Sequence, residues 1–106
     1  MTGRSAMLAA QGARDANHAA IVERYEAYFC KVLDLHSVGG GCPDTLVRIT
    51  TRAGHVLQLV EIKTEDGSLS ASQERFRDEW AGQVCVTVRT VQDVDAHVER
   101  VRRAAR

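Results

Sequence analysis

The sequence predicts a small α/β domain in which a mixed sheet opens with an antiparallel hairpin and carries helices on its faces. Three observations lead there. Two runs rich in branched residues, 44–51 and 56–62, flank Arg52-Ala53-Gly54-His55, a composition suited to a hairpin turn. Segments of helical apolar spacing lie before and after that hairpin, and a further short apolar run at 84–88 separates the last two of them. The chain has 106 residues, 44% of them hydrophobic, which is enough for one core.

The elements follow in order. Residues 1–14 mix small, polar and glycine residues without period, so a mobile arm is expected there and a single domain over 15–106. From Asp15 the pattern turns helical, with Asp15 or Asn17 as cap and with Ile21, Val22, Tyr25, Tyr28, Phe29 and Val32 recurring on one side. The helix should end near Phe29. Lys31 to His36 reads as a short strand running into Ser37, Val38 and Gly39-Gly40-Gly41, where residues free to adopt positive φ can turn the chain tightly. Pro43 lacks a backbone donor, so the next strand should start at about Asp44 and run to Thr51. Residues 56–62 form the most apolar run and read as a central strand buried on both faces as far as Glu61. Ser70-Ala71-Ser72-Gln73 is a capping box opening a helix to about Ala81, with Phe76 and Trp80 on its buried side and Gly82 as its stop. A strand at 84–88 and a helix over 93–103, with Val94, Val98 and Val101 in step, complete the order helix, three strands, helix, strand, helix.

Charge and cysteine content narrow the function classes. Lys+Arg and Asp+Glu both number 14, so attraction to a polyanion must come from local patches. Three cysteines, Cys30, Cys42 and Cys85, show no Cys-x-x-Cys spacing, which argues against a disulfide framework and a closed zinc site. No signal-peptide core or membrane-length apolar stretch is present, and a cytoplasmic protein is expected, in a bacterial or phage-infected cell.

The chemistry concentrates at one end of the hairpin. Alternation along a strand puts Glu61 and Lys63 on one side and Ile62 on the other. Asp44 starts the antiparallel partner strand, so a turn at 52–55 returns Glu61 to its side. Two carboxylates and a backbone carbonyl, that of Ile62, suit Mg2+, a hard ion that prefers oxygen and keeps several waters. Lys63 would then orient or deprotonate the attacking water, or stabilise the pentavalent transition state. The glycines before Asp44 would let backbone approach a phosphate, with Gly40 and Gly41 as candidate DNA contacts. Arg75 and Arg77 on the following helix, and Arg100, Arg102, Arg103 and Arg106 at the C-terminus, are candidates for phosphate positioning, with dipole compensation as the alternative for the last group. His36, His55 and His97 read as surface or turn residues.

These residues carry a resemblance. GGGCPDTLV, LQLVEIKTEDGSLSASQERFRDEW and GQVCVTV are similar to the phage- and prophage-type VRR-NUC branch of the PD-(D/E)XK nuclease superfamily, over about residues 15–97. The resemblance implies a restriction-endonuclease-like core of order α-β-β-β-α-β-α. It implies Asp44 and Glu61 as metal ligands, Lys63 as catalytic lysine and Gln73 as an active-site accessory, a role compatible with capping. The implied activity is Mg2+- or Mn2+-dependent cleavage of DNA phosphodiesters, with stand-alone members resembling resolvases that act on branched DNA as homodimers. A non-catalytic DNA-binding or assembly module on the same fold is the alternative. Where the family often has a first-helix acid, this chain has His18, on the face of Val22, Tyr25 and Phe29, making it an accessory candidate suited to a water-mediated contact or to Mn2+.

Overall fold

The computed structural model describes residues 17–81 and 84–105. The arm expected over 1–14, the cap at Asp15, the helix stop at Gly82 and Arg106 lie outside the described residues. Helix α1 is described over 17–27. Then come β1 (Lys31–Asp34), β2 (Thr45–Thr51), β3 (Gly54–Ile62), α2 (Ala71–Trp80), β4 (Cys85–Val88) and α3 (Val91–Ala104). This is the order α-β-β-β-α-β-α of a PD-(D/E)XK-like core.

The four strands lie in the order β1-β2-β3-β4, antiparallel except for the parallel pair β3 and β4. Thr51 pairs with Gly54, so only Arg52 and Ala53 form the hairpin tip. The Thr51 hydroxyl closes it, donating to the Gly54 carbonyl at 2.8 Å and accepting the Ala53 N–H at 3.1 Å. The return from β3 to a parallel β4 needs a crossover, which α2 supplies.

One face of the sheet is packed. Thr45, Val47 and Ile49 of β2 are buried in alternation, and with Val60 and Val88 they meet Ile21 and Tyr25 of α1 and Val94 and Val98 of α3. The two helices are tied together across this face: Arg24 makes a two-pronged contact with the Asp95 carboxylate at 2.7 Å, and the Tyr28 hydroxyl donates to the same carboxylate at 2.7 Å. Arg102 donates to the carbonyls of Thr50 at 3.0 Å and Tyr28 at 2.6 Å and stacks over the Tyr28 ring, so it fastens α3 to the sheet. Arg103 pairs with Glu99 one turn back.

Four sequence expectations need correction. His97 is not a surface residue: it is 1% exposed, and its ring bridges the Tyr25 hydroxyl (Nδ1, 2.8 Å) and the Gln58 side chain (Nε2, 2.7 Å). The strand at 56–62 is not buried on both faces, because Leu57 is 60% exposed and burial begins only at Val60. Phe76 and Trp80 do not enter the core, since α2 buries no residue at all; the two rings instead stack on each other at 5.4 Å, with Trp80 exposed. Phe29 is likewise exposed, just past the end of α1 at positive φ. One physical reason accounts for the strand and for the α2 rings: the sheet face opposite α1 and α3 is covered only near one end. Among the described residues, no helix is long and apolar enough to cross a membrane.

Candidate active site

The covered end of that second face is where the charged residues meet. Asp44 precedes β2, and its backbone carbonyl accepts the Leu35 N–H at 2.7 Å from beyond β1. Its carboxylate accepts the Ile62 N–H at 3.0 Å from the end of β3. Asp44 is thereby held by both neighbouring chain segments. Thr45, next along, is fully buried and donates its hydroxyl to the Val60 carbonyl at 2.8 Å, locking the same register. Alternation sends Ile62 into the core cluster and Glu61 to the opposite side.

Glu61 is 4% exposed, and neither of its carboxylate oxygens receives a hydrogen bond from a described residue. The Asp44 carboxyl beside it can offer a proton only when one of the pair is protonated. Burial first, and then Asp44, push the Glu61 pKa well above the usual carboxylate range, against the opposing pull of Lys63. A buried carboxylate without donors is costly, and two adjacent ones cannot both ionise cheaply without a cation. A hard divalent ion suits this donor set: two carboxylates, with the backbone of Ile62 and water able to complete the shell. Among the described residues, no three His, Cys, Asp or Glu side chains converge on one point.

The carboxylates open onto a pocket of about 660 Å3. Lys63, Ile62 and Gln73 line it together with Asp44 and Glu61, and His18 lines it from α1. Asn17, beside His18, donates its side-chain amide to the Lys63 carbonyl at 3.3 Å, anchoring the start of α1 at the pocket. Gln73 also closes the capping box of α2: its oxygen accepts the Ser70 N–H at 2.8 Å, and its own N–H donates to the Ser70 hydroxyl at 3.2 Å. Its side-chain amide nitrogen takes no part in the cap. Arg89 donates to the carbonyls of Thr64 and Gly67, fastening the loop that forms the pocket's rim.

The remaining candidates lie elsewhere. Gly41 and Arg77 line a separate small crevice that Glu61 and Gln73 also reach, Gly40 sits in open space, and Arg75 is exposed on α2. Gly41 has a steric reason of its own: φ is +81°, and a Cβ there would stand 2.2 Å from the Ser72 carbonyl oxygen at the start of α2. Two titratable residues of the pocket had no site role in the sequence, Asp34 and His36, the latter expected as a surface or turn residue. Their signal was an acid and an imidazole two apart at a strand end, a weak pattern until the pairing of Asp34 with Thr45 sets it beside Asp44.

No curated protein and no solved structure matches the chain. The family model described as VRR-NUC domain matches residues 6–101, almost the whole chain. The chain belongs to the VRR-NUC domain family, whose members are nuclease-type DNA-processing domains.

Proposed function

We propose that the protein is a metal-dependent DNA endonuclease whose site is Asp44, Glu61 and Lys63, with Gln73 as accessory. The observation that carries this is the buried Glu61 carboxylate, which has no donor among the described residues and lines one pocket with Asp44 and Lys63. When bound by Asp44, Glu61 and the Ile62 carbonyl, Mg2+ or Mn2+ supplies positive charge that offsets the phosphate and the charge developing at phosphorus. Asp44 and Glu61 fix where the phosphate comes to rest. Lys63 orients the attacking water and takes up or relays its proton, while the Gln73 amide nitrogen donates to a phosphate or water oxygen. His18 and Asn17 close the pocket on the α1 side.

The preference for branched DNA and the homodimeric state belong to the same proposal. They are supported by the family resemblance and by the apolar side chains that the open sheet face leaves to solvent: Leu33 and Leu57 are both more than half exposed, as is Trp80 of α2. A second copy is the occupant that would cover them. Incubation with single-stranded, flapped and four-way-junction DNA, each with Mg2+, Mn2+ or chelator, tests the activity. Metal-dependent cutting lost in Asp44→Asn and Glu61→Gln is expected; tight binding without cutting under every condition would favour the non-catalytic module, which the histidine at position 18 keeps in view.

A further inference from the structure

A second charged pair faces the same pocket and has no part in the chemistry above. Asp34 ends β1 and His36 lies in the turn that follows; both line the cavity with Asp44, Glu61 and Lys63. The Asp34 carboxylate accepts the His36 backbone N–H at 2.9 Å and meets the ring Nδ1 at 2.9 and 3.1 Å through its two oxygens. The His36 bonds hold the Asp34 carboxyl below its ordinary range, with smaller help from the charges of His36 and, across the pocket, His18. An ionised carboxylate only accepts, so Nδ1 carries the hydrogen and Nε2 is left as the working nitrogen. Among the described residues, Nε2 has no hydrogen-bond partner. The backbone bond alone would be an ordinary aspartate turn. The ring contact goes beyond it, because it sets the tautomer and orientation of an imidazole at the mouth of a site.

Phosphodiester hydrolysis needs a proton removed from water and a proton delivered to the leaving oxygen. Lys63 serves the first need. The groups around the pocket that could serve the second are Asp44 and Glu61 from β2 and β3, His18 from α1, and His36 after β1. The two carboxylates would hold the cation, and of the two imidazoles His36 alone has a carboxylate from among the described residues bonded behind its ring. We propose that His36, oriented by Asp34, protonates the leaving oxygen. The water oxygen bonds to phosphorus as the bond from phosphorus to the leaving oxygen breaks, and that bond's electron pair passes to the leaving oxygen. The Nε2 proton of protonated His36 transfers to it, yielding a free hydroxyl; Asp34 balances the ring's charge beforehand, and solvent reprotonates the ring afterwards. His36 is the catalytic acid and Asp34 the positioning residue. The inference rests on the nuclease reading.

A leaving group that needs no proton tests it. The cleavage position is mapped on ordinary DNA, and a second substrate carries a bridging sulfur in place of the leaving oxygen at that position. His36→Ala should slow cleavage of ordinary DNA about 100-fold and leave cleavage of the sulfur-bridged strand within about threefold of wild type, since a thiolate departs unaided. Asp34→Asn should lose about 10-fold, again on the oxygen substrate only, and add nothing to His36→Ala. Equal losses on both substrates would overturn the proposal in favour of a binding or structural role, and so would no loss on either. Wild-type protein that cuts neither substrate with Mg2+ or Mn2+ would instead overturn the nuclease reading on which it rests.

Discussion

The two faces of the sheet are built on opposite terms. The face under α1 and α3 is closed: its apolar residues are buried, and the polar groups among them, Thr45, Tyr25 and His97, all have hydrogen bonds. The face under α2 is open, exposes Leu33 and Leu57, and at its covered end buries a carboxylate with no donor among the described residues. Packing and polar satisfaction are what hold a fold together, whereas unsatisfied charge and exposed apolar surface are tolerated where something else is bound. On the function proposed above, the first face serves stability and the second carries the site. Substitutions should therefore separate: those on the open face lower activity or association without destabilising the metal-free fold, and those on the closed face destabilise it.

The largest effect should come from the unsatisfied carboxylate. Glu61→Gln is expected to lower cleavage about a thousandfold, the loss that goes with several kcal/mol of transition-state charge stabilisation. The same change should raise the melting temperature of the metal-free protein by a few degrees, the response of a domain this size to about 1 kcal/mol. The sign follows from linkage. The folded Glu61 pKa lies above its unfolded value, so above the unfolded value the unfolded chain releases a proton that the folded one keeps, and metal-free stability falls as pH rises. Added Mg2+ should reverse that trend in wild type and not in Glu61→Gln. Thermal melts across pH with chelator and with Mg2+ check it; a variant less stable than wild type in chelator would mean that Glu61 has a structural partner.

Lys63→Ala should abolish cleavage to a similar degree while leaving metal binding and the melting temperature near wild type, because it removes the group that handles the water and no core volume. Calorimetric titration with Mn2+ alongside the cleavage assay separates it from Asp44→Asn, which should lose both.

The closed face breaks differently. Tyr25→Phe removes the hydroxyl bonded to His97 Nδ1 and should cost about 1–3 kcal/mol in urea unfolding, the penalty for an orphaned buried acceptor, with little change in the rate of the folded fraction. Burial holds the His97 pKa down to about 4, with Arg100 contributing, against 6.5 for a free imidazole. The unfolded chain therefore takes up a proton that the folded one refuses, and this contribution to stability is intact above 6.5 and declines as pH falls from 6.5 towards 4. A stability profile flat over that window would place the ring in contact with solvent.

Much of this division was legible in the sequence and part was not, for identifiable reasons. The strand expected from about Asp44 to Thr51 and the capping box of Ser70 and Gln73 rest on local patterns, and both are found. Helix α3 starts at Val91, earlier than its apolar spacing suggested, because Thr90 and Asp93 form a second capping box. His97 was misread even though Val94, His97, Val98 and Val101 keep helical spacing; a polar residue in an apolar stripe points to a buried hydrogen bond, and that signal was available. Phe29, Phe76 and Trp80 were placed inside because a helical wheel shows which side is apolar and not whether anything packs against it. The meeting of Asp44 with Glu61 followed from hairpin geometry. The arrival of Asp34 and His36 in the same pocket depends on the register of β1 against β2, which no local pattern sets.

Self-association sharpens the comparison at lower amplitude. Leu57→Lys and Trp80→Lys should each leave unfolding free energy within about 0.5 kcal/mol of wild type, as exposed sites do, and shift the protein towards monomer. Sedimentation over a concentration series measures this; wild-type monomer at every concentration would remove the second copy from the proposal.

The smallest expected effect concerns His18, which belongs to the α1 side and yet faces the open-face pocket. His18→Ala should lower activity only a fewfold, since the imidazole contributes through water at most. His18→Glu restores a carboxylate where the family often has one and should retain or raise Mg2+-supported cleavage, because a carboxylate orders water around a hard ion more strongly than neutral imidazole does. The added charge also shares the pocket with Asp34, Asp44 and Glu61. The benefit should therefore vanish at low Mg2+, where repulsion is unscreened, and appear only as the ion saturates. Mg2+ titrations of cleavage for wild type and both variants resolve the two effects as a change in midpoint and a change in plateau. If neither midpoint nor plateau moves, the α1 side contributes walls to the pocket and nothing to its chemistry, and the division between the two faces holds even here.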